Sequence, residues 1–119
     1  MISDEKFRKR EHLLKSRDFL RVYKSGRTFR SEWLTVYSMR NGSGATRLGF
    51  SISSSIVKLA ARRNRIRRVF REIFRKRKKT FIKGLDLVIS VKKDPGSDTE
   101  YGKLENLFLN MAKQASLLI

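Results

Sequence analysis

The sequence predicts a single α+β domain, one mixed antiparallel and parallel sheet packed by helices. Three stretches carry that expectation. Arg47 to Ser53 alternates strictly, with Leu48, Phe50 and Ile52 on one side and Arg47, Gly49, Ser51 and Ser53 on the other, the pattern of a half-buried strand. From Leu59 to Lys78 the period lengthens. Ile66, Val69, Phe70, Ile73 and Phe74 now recur at the spacing of a core-facing helical stripe. Leu85 to Val91 is short and almost wholly apolar, as an interior strand is. With 119 residues, no repeat, one proline and scattered glycines, residues 1–119 fit one core and no second domain.

The remaining elements follow in order. Ser16 reads as the N-cap of a first helix, Asp18 complements the dipole in its first turn, and Ser25-Gly26 ends it. Phe19, Val22 and Tyr23 share one face of that helix. Arg27 to Met39, with Phe29, Trp33, Thr35, Val36 and Tyr37, has the aromatic and β-branched content of extended chain. Asn41-Gly42-Ser43-Gly44 is a hairpin turn signal leading into the alternating strand. Gly84 closes the connection from the long helix into Leu85. Ser97 with Glu100 spells a capping box for a last helix whose stripe is Leu104, Leu107, Phe108, Met111 and Ala115. The order is helix, two or three strands, helix, strand, helix. The strand–helix–strand unit from Arg47 to Val91 is right-handed by default. The two ends, 1–10 and 115–119, are expected to be flexible in the free protein.

Charge narrows the function classes. Lys and Arg number 29 against 11 Asp and Glu, a formal +18 with a pI of about 11.2. Such a chain repels itself unless a polyanion neutralises it; a phosphate backbone is the usual one, and a membrane surface the rival. Ten of the cations fall in Met1–Arg30 and eleven in Arg62–Lys79, where Glu72 is the sole acid. No apolar run approaches the roughly 20 residues of a bilayer span. There is no cysteine and no secretory leader is visible, so a cytoplasmic protein away from membranes is expected. Neither catalysis by the polypeptide nor a metal site is expected. His12 is the one histidine, set in a polar basic stretch where solvent exposure is its expected state. The acids form no pair suited to two-carboxylate or two-metal chemistry, and Asp94, Asp98 and Glu100 group only around a turn and a helix start. No phosphate-binding loop or nucleophile elbow is present.

The Arg-rich side of the long helix is the candidate site. Asn64, Arg67, Arg68, Arg71 and Arg75 project opposite the apolar stripe. Solvation is the ordinary fate of a charge run, but these charges share one sign and cannot pair with each other at i,i+4. Most are Arg, whose planar fork suits bidentate phosphate contacts and stacking on bases. Nucleic acid is therefore the expected partner.

The segment Arg62-Arg63-Asn64-Arg65-Ile66-Arg67-Arg68-Val69-Phe70-Arg71-Glu72 resembles the signature of the protein subunit of bacterial ribonuclease P, with Arg63-Asn64-Arg65 followed by Ile66-Arg67-Arg68 at its centre. Ser16-Arg17-Asp18-Phe19 with Val22-Tyr23-Lys24 and Gly26 looks like that family's first helix. Arg47-Leu48-Gly49-Phe50-Ser51-Ile52-Ser53 looks like the strand before its basic helix, and Gly84-Leu85-Asp86-Leu87-Val88-Ile89 like the strand after it. The likeness covers about Phe7 to Val91, with an amphipathic last helix in the expected place. It departs at Ser54-Ser55, where many members carry a Lys pair; Lys58 is the basic residue of that loop.

The resemblance implies an α-β-β-β-α-β-α sandwich of the ribosomal protein S5 domain 2-like type with a left-handed βαβ crossover, against the right-handed default. It also implies the protein component of a ribonucleoprotein endonuclease that removes the 5′ leader of precursor tRNA. Hydrolysis would belong to the RNA subunit, with Mg²⁺ held mainly on RNA phosphates. The partners would be the catalytic ribonuclease P RNA and precursor tRNA, with one protein per RNA. On this likeness Arg62, Arg63, Asn64, Arg65, Arg67, Arg68 and Arg71, with Lys58, face the RNA subunit. Phe19, Tyr23 and Tyr37 line a cleft for the single-stranded leader, where aromatic faces stack on unpaired bases for about 1–3 kcal/mol each. Core packing is the ordinary alternative use of those three rings. The alternative function is a ribosomal or ribosome-associated RNA-binding protein without a catalytic role, which would need little single-strand stacking.

Overall fold

The computed structural model describes residues 11–13, 15–96 and 99–118. Along the chain run α1 (Ser16–Ser25), β1 (Arg27–Arg30), β2 (Leu34–Arg40), β3 (Arg47–Ser51), α2 (Ala60–Arg77), β4 (Leu85–Val91) and α3 (Tyr101–Gln114), with a 3-10 turn at Lys78–Thr80. This is the expected α-β-β-β-α-β-α order. The sheet order is β1-β2-β4-β3. β4, the last strand in sequence, lies inside the sheet, antiparallel to β2 and parallel to β3. All seven of its residues are buried, which is why the run could be almost wholly apolar.

The two faces of β4 belong to different cores. Leu85, Leu87, Ile89 and Val91 enter the larger one. α2 lays Ile66, Val69, Phe70, Ile73 and Phe74 there, the residues its periodicity selects, and α3 adds Leu104, Phe108, Met111 and Ala112. Leu107 of the expected stripe is only half-buried. Phe70, Phe108, Phe81 and Phe74 touch in series at 5.5–5.6 Å between ring centres. Each large apolar side chain fully buried this way contributes roughly 1.5–3 kcal/mol. On the opposite face α1 packs Val22 with Val88 and Leu13, and Phe19, Tyr37 and Met39 surround them. The polar face of β3 is thus partly covered, with Gly49 buried beneath Phe19 and Arg47 and Ser51 half-buried.

Several local expectations are corrected. Asn41-Gly42-Ser43-Gly44 does not make a hairpin, because β4 separates β2 from β3. The loop instead crosses the start of β4. The Asn41 N–H donates to the Gly84 carbonyl at 2.8 Å, Asn41 Nδ2 donates to the Ala45 carbonyl at 3.0 Å, and the Ser43 N–H donates to Asn41 Oδ1 at 2.7 Å. Gly84 has φ +80°, and a Cβ there would lie 2.5 Å from the Ser43 carbonyl oxygen, so the crossing needs a glycine. Ser16 is the first helical residue of α1; Lys15 is its N-cap and no side chain caps it. The alternating strand stops at Ser51, although Ile52 remains in the core. α3 starts after Glu100 with no side-chain cap. Ser97 and Asp98, and with them the capping box, lie outside the described residues, as do residues 1–10 and 119. Near the C-terminal end Ala115 and Leu117 are buried, Ser116 is exposed, and Leu118 bridges to Phe81. Among the described residues no helix is long and apolar enough to cross a membrane.

Candidate nucleic-acid interface

α2 begins without the usual help. Leu59 at its N-cap offers no side-chain acceptor and the first turn holds no acid. Arg62 and Arg63 instead add positive charge at the positive end of the helix dipole, unfavourable until an anion arrives. Both are spent on the protein itself. Arg62 pairs with Asp94 at 2.8 Å and donates to the Gly96 carbonyl. Arg63 Nη1 donates to the carbonyls of Val57 and Lys58 at 2.8 and 3.0 Å. Farther along, Asn64, Arg67, Arg68 and Arg71 gather on the outward side, with Glu72 and Arg75 beyond them. Arg67 Nη1 donates to Asn64 Oδ1 at 2.9 Å, and Arg75 pairs with Glu72. Arg65, Arg68 and Lys58 are exposed, and among the described residues the two arginines have no acceptor. One flank of the helix thus holds loops in place while its crest is left unneutralised.

Beside the crest lies a recess of about 260 Å³ whose lining includes His12, Phe19, Gly49, Phe50, Arg67 and Arg71 and, among the described residues, no carboxylate. The Arg71 guanidinium lies over the Phe50 ring, 5.4 Å from its centre, and its Nε is buried without an acceptor. Burial first, and then the charge of Arg67, lowers the pKa of Arg71 from its ordinary value. His12, expected in solvent, is half-buried and bridges to Leu48 of β3. Burial, and then the nearby Arg71 charge, moves its pKa down as well. Gly49 gives Phe19 its place, since a Cβ there would come within 2.6 Å of Phe19 Cζ and 3.0 Å of Leu13. Gly49→Ala is expected to cost about 1–3 kcal/mol by overpacking. A urea midpoint equal to that of the unsubstituted protein would show that the ring gives way freely.

Phe19, Tyr23 and Tyr37 do come together. Ring centres are 6.3 Å apart for Phe19 and Tyr23, and 4.8 Å apart, edge to face, for Tyr23 and Tyr37. Lys92 Nζ lies 5.5 Å from the centre of Tyr37. Tyr23 is exposed, whereas Phe19 and Tyr37 are half-buried around Val22 and Val88. Core packing and an open aromatic edge are thus combined rather than alternatives.

What fixes α1 over the sheet is a group that sequence reasoning passed over. Asp86 of β4 is 0% exposed. It accepts from Arg47 Nε and Nη2 at 2.7 and 2.6 Å, from Arg21 Nη2 of α1 at 2.9 Å, and from Asn41 Nδ2 at 2.9 Å. Asp18 lies 3.5–3.6 Å from the same two arginines. Burial by itself would raise the Asp86 pKa. The hydrogen bonds from Arg47 and Asn41 and the charges of Arg47 and Arg21 outweigh it and hold the carboxyl below its ordinary value. The signal was present in the sequence: one acid inside an apolar strand has to find cations there. Among the described residues no group of three or more His, Cys, Asp or Glu could hold a metal ion.

Fold and site together define a small, strongly basic α+β protein with an exposed Arg crest beside a recess and a cluster of aromatic rings. The chain belongs to the ribonuclease P family, whose sequence profile matches residues 7–116. It is 35% identical over 113 residues to the ribonuclease P protein component of Thermotoga petrophila, covering 92% of this chain and 96% of that one. The component from Finegoldia magna is 41% identical over 103 residues, covering 85% and 87%. Among solved structures, an RNase P protein mutant of Staphylococcus aureus with defective mRNA degradation activity has a TM-score of 0.82 at 27% identity, covering 92% of this chain and 91% of that one. The RNase P protein of Thermotoga maritima has a TM-score of 0.78 at 32% identity, covering 87% and 96%.

Proposed function

We propose that the chain acts as the protein component of ribonuclease P, binding the catalytic RNA through the crest of α2 and the single-stranded 5′ leader of precursor tRNA through the α1 cleft. The RNA subunit carries out hydrolysis with Mg²⁺ held mainly by its own phosphates, and the protein supplies no metal ligand. One protein serves one RNA, in the cytoplasm and without a membrane. Asn64, Arg65, Arg67, Arg68 and Arg71 meet RNA directly, with Lys58 beside them. Arg62 and Arg63 contribute by fixing the loops that flank the helix start. The observation that carries this reading is the double membership of Phe19. It lines the recess under Arg67 and Arg71 and also neighbours Tyr23, so the surface suited to phosphates runs into the surface suited to unpaired bases.

The direct test is cleavage of precursor tRNA at low Mg²⁺ by a bacterial ribonuclease P RNA, with and without this protein. Protein-dependent cleavage at the mature 5′ end, absent when the RNA is left out, is expected. Tight RNA binding without stimulation would favour a noncatalytic RNA-binding role. Within the cleft, Tyr23→Ala is expected to weaken binding of long-leader substrates by the stacking of about one base, roughly 5- to 150-fold, and to spare mature tRNA. Equal losses for both ligands would remove the leader from the cleft.

A further inference from the structure

One step along the strands from Tyr37, the sheet carries a row of hydroxyls. The pairing register sets Arg30 of β1 opposite Thr35 of β2, Thr35 opposite Ser90 of β4, and Ser90 opposite Ser51 of β3. Strand alternation puts these residues on the same face as Tyr37, Val88 and Gly49, which form the neighbouring row beneath α1. Lys92, two residues beyond Ser90 on that face, is the cation near the Tyr37 ring.

Thr35 and Ser90 are 3% and 4% exposed, yet no described residue hydrogen-bonds the hydroxyl of Thr35, Ser90 or Ser51. A buried hydroxyl without a partner is costly. Serine in the middle of an interior strand is also a poor choice by strand preference, next to Leu87, Val88, Ile89 and Val91. Among the described side chains, the atoms sealed from solvent without a partner are Arg71 Nε and Tyr101 OH. The Thr35 and Ser90 oxygens are therefore not wholly sealed from solvent. Three donor–acceptor hydroxyls, flanked by two cations and set about 7 Å from an aromatic row, match a nucleotide whose base stacks and whose sugar and phosphate lie alongside.

We infer that Thr35, Ser90 and Ser51 form a ribose-phosphate subsite of the cleft, hydrogen-bonding the 2′-hydroxyl of a single-stranded RNA nucleotide while Lys92 and Arg30 meet its phosphates. This rests on the leader reading above and adds to it a preference for ribose over deoxyribose. The 2′-hydroxyl can both donate and accept, so it satisfies a row whose hydroxyls have no partner among the described residues.

The test uses the protein assembled with ribonuclease P RNA and two precursor tRNAs that differ only in an all-ribose or a 2′-deoxy leader. The unsubstituted protein is expected to bind the ribose leader about 3- to 10-fold more tightly. A variant carrying Thr35→Val, Ser90→Ala and Ser51→Ala should retain assembly with the RNA and lose that preference. If the triple variant does not fold, Ser51→Ala alone, at a half-exposed position, should reduce the preference. Comparing both proteins on both substrates removes any ribose contact made by the RNA subunit. An undiminished preference in the folded variant, or no preference in the unsubstituted protein, overturns the subsite. Tyr23→Ala separates the two readings. If it weakens leader binding while the hydroxyl variants do not, the cleft stands and the subsite falls; if neither affects leader binding, the cleft reading itself falls.

Discussion

Replacing Arg65 and Arg68 together by Ala is expected to weaken assembly with ribonuclease P RNA on the order of 100-fold at moderate salt. Both guanidinium groups stand exposed on the crest of α2, and no described residue competes for them as an acceptor. A charge-assisted hydrogen bond to phosphate contributes roughly 1.5–3 kcal/mol, and each factor of ten in affinity corresponds to about 1.4 kcal/mol. The second signature is the salt dependence. Each phosphate contact releases about 0.9 counterion, so the slope of log affinity against log salt should become shallower by about 2. Thermal stability should stay near that of the parent, because neither side chain supports the fold. The paired substitutions Arg62→Ala and Arg63→Ala make the informative contrast. Those residues hold Asp94, Gly96, Val57 and Lys58, so their loss should lower stability along with affinity. Affinity and slope unchanged in the Arg65/Arg68 variant would move the RNA surface elsewhere.

The second large effect is expected at Asp86. Asp86→Ala leaves the Arg47 guanidinium without its bidentate acceptor and unties Arg21 of α1. The arginines left behind are 27% and 43% exposed and keep Asp18 nearby. The expected cost is therefore that of a lost charged hydrogen bond, about 1.5–3 kcal/mol, below the figure for a fully buried pair. Against a total stability of roughly 5–15 kcal/mol for a domain, that is a large share. Urea unfolding measures it, and a loss below about 1 kcal/mol would mean that desolvation of the pair had cancelled its attraction. The pH dependence follows from the direction of the shift. The folded-state pKa of Asp86 lies below its unfolded value, so its stabilisation is complete above the ordinary carboxylate range near 3.9 and is lost as pH falls through the lower folded value. The unsubstituted protein should therefore lose stability more steeply in acid than Asp86→Asn, which has no carboxyl to protonate. Parallel acid profiles would place the sensitivity on other carboxylates.

Much of the fold could be read because it is written in local periods. The α2 stripe and the β4 run needed only apolar spacing to be placed, and both landed on the buried residues. The Asn41-Gly42 turn was misread for a nonlocal reason: the same dipeptide suits a hairpin or a loop that crosses another strand, and which one forms depends on β4, far along the chain. The hand of the crossover is likewise no property of any one residue, and only the family likeness assigned it against the default. At the candidate site, the type and direction of the Arg crest were legible. The division of labour within it was not. Arg62 and Arg65 look alike in sequence, but the first meets Asp94 and the Gly96 carbonyl, which a different part of the chain brings near. His12 misled because its polar neighbours say nothing of the bridge to Leu48. Asp86 was the avoidable omission, since a lone acid in an apolar strand announces partners even when it does not name them.

The insertion of β4 between β2 and β3 also fixes a timetable for synthesis. The β1–β2 ribbon can close as soon as it leaves the ribosome, but β3, apart from its single bridge to His12, has no strand to pair with until residues 85–91 emerge. At about 5–20 residues per second the nascent chain waits a few seconds with β3 lacking that strand and the apolar stripe of α2 uncovered. During that interval the Arg crest of α2 is already translated, close to the RNA-rich surface of the machine producing it. Closure of the sheet is then a late, long-range event that completes both cores together, the kind of step that makes folding slow relative to helical proteins of equal length.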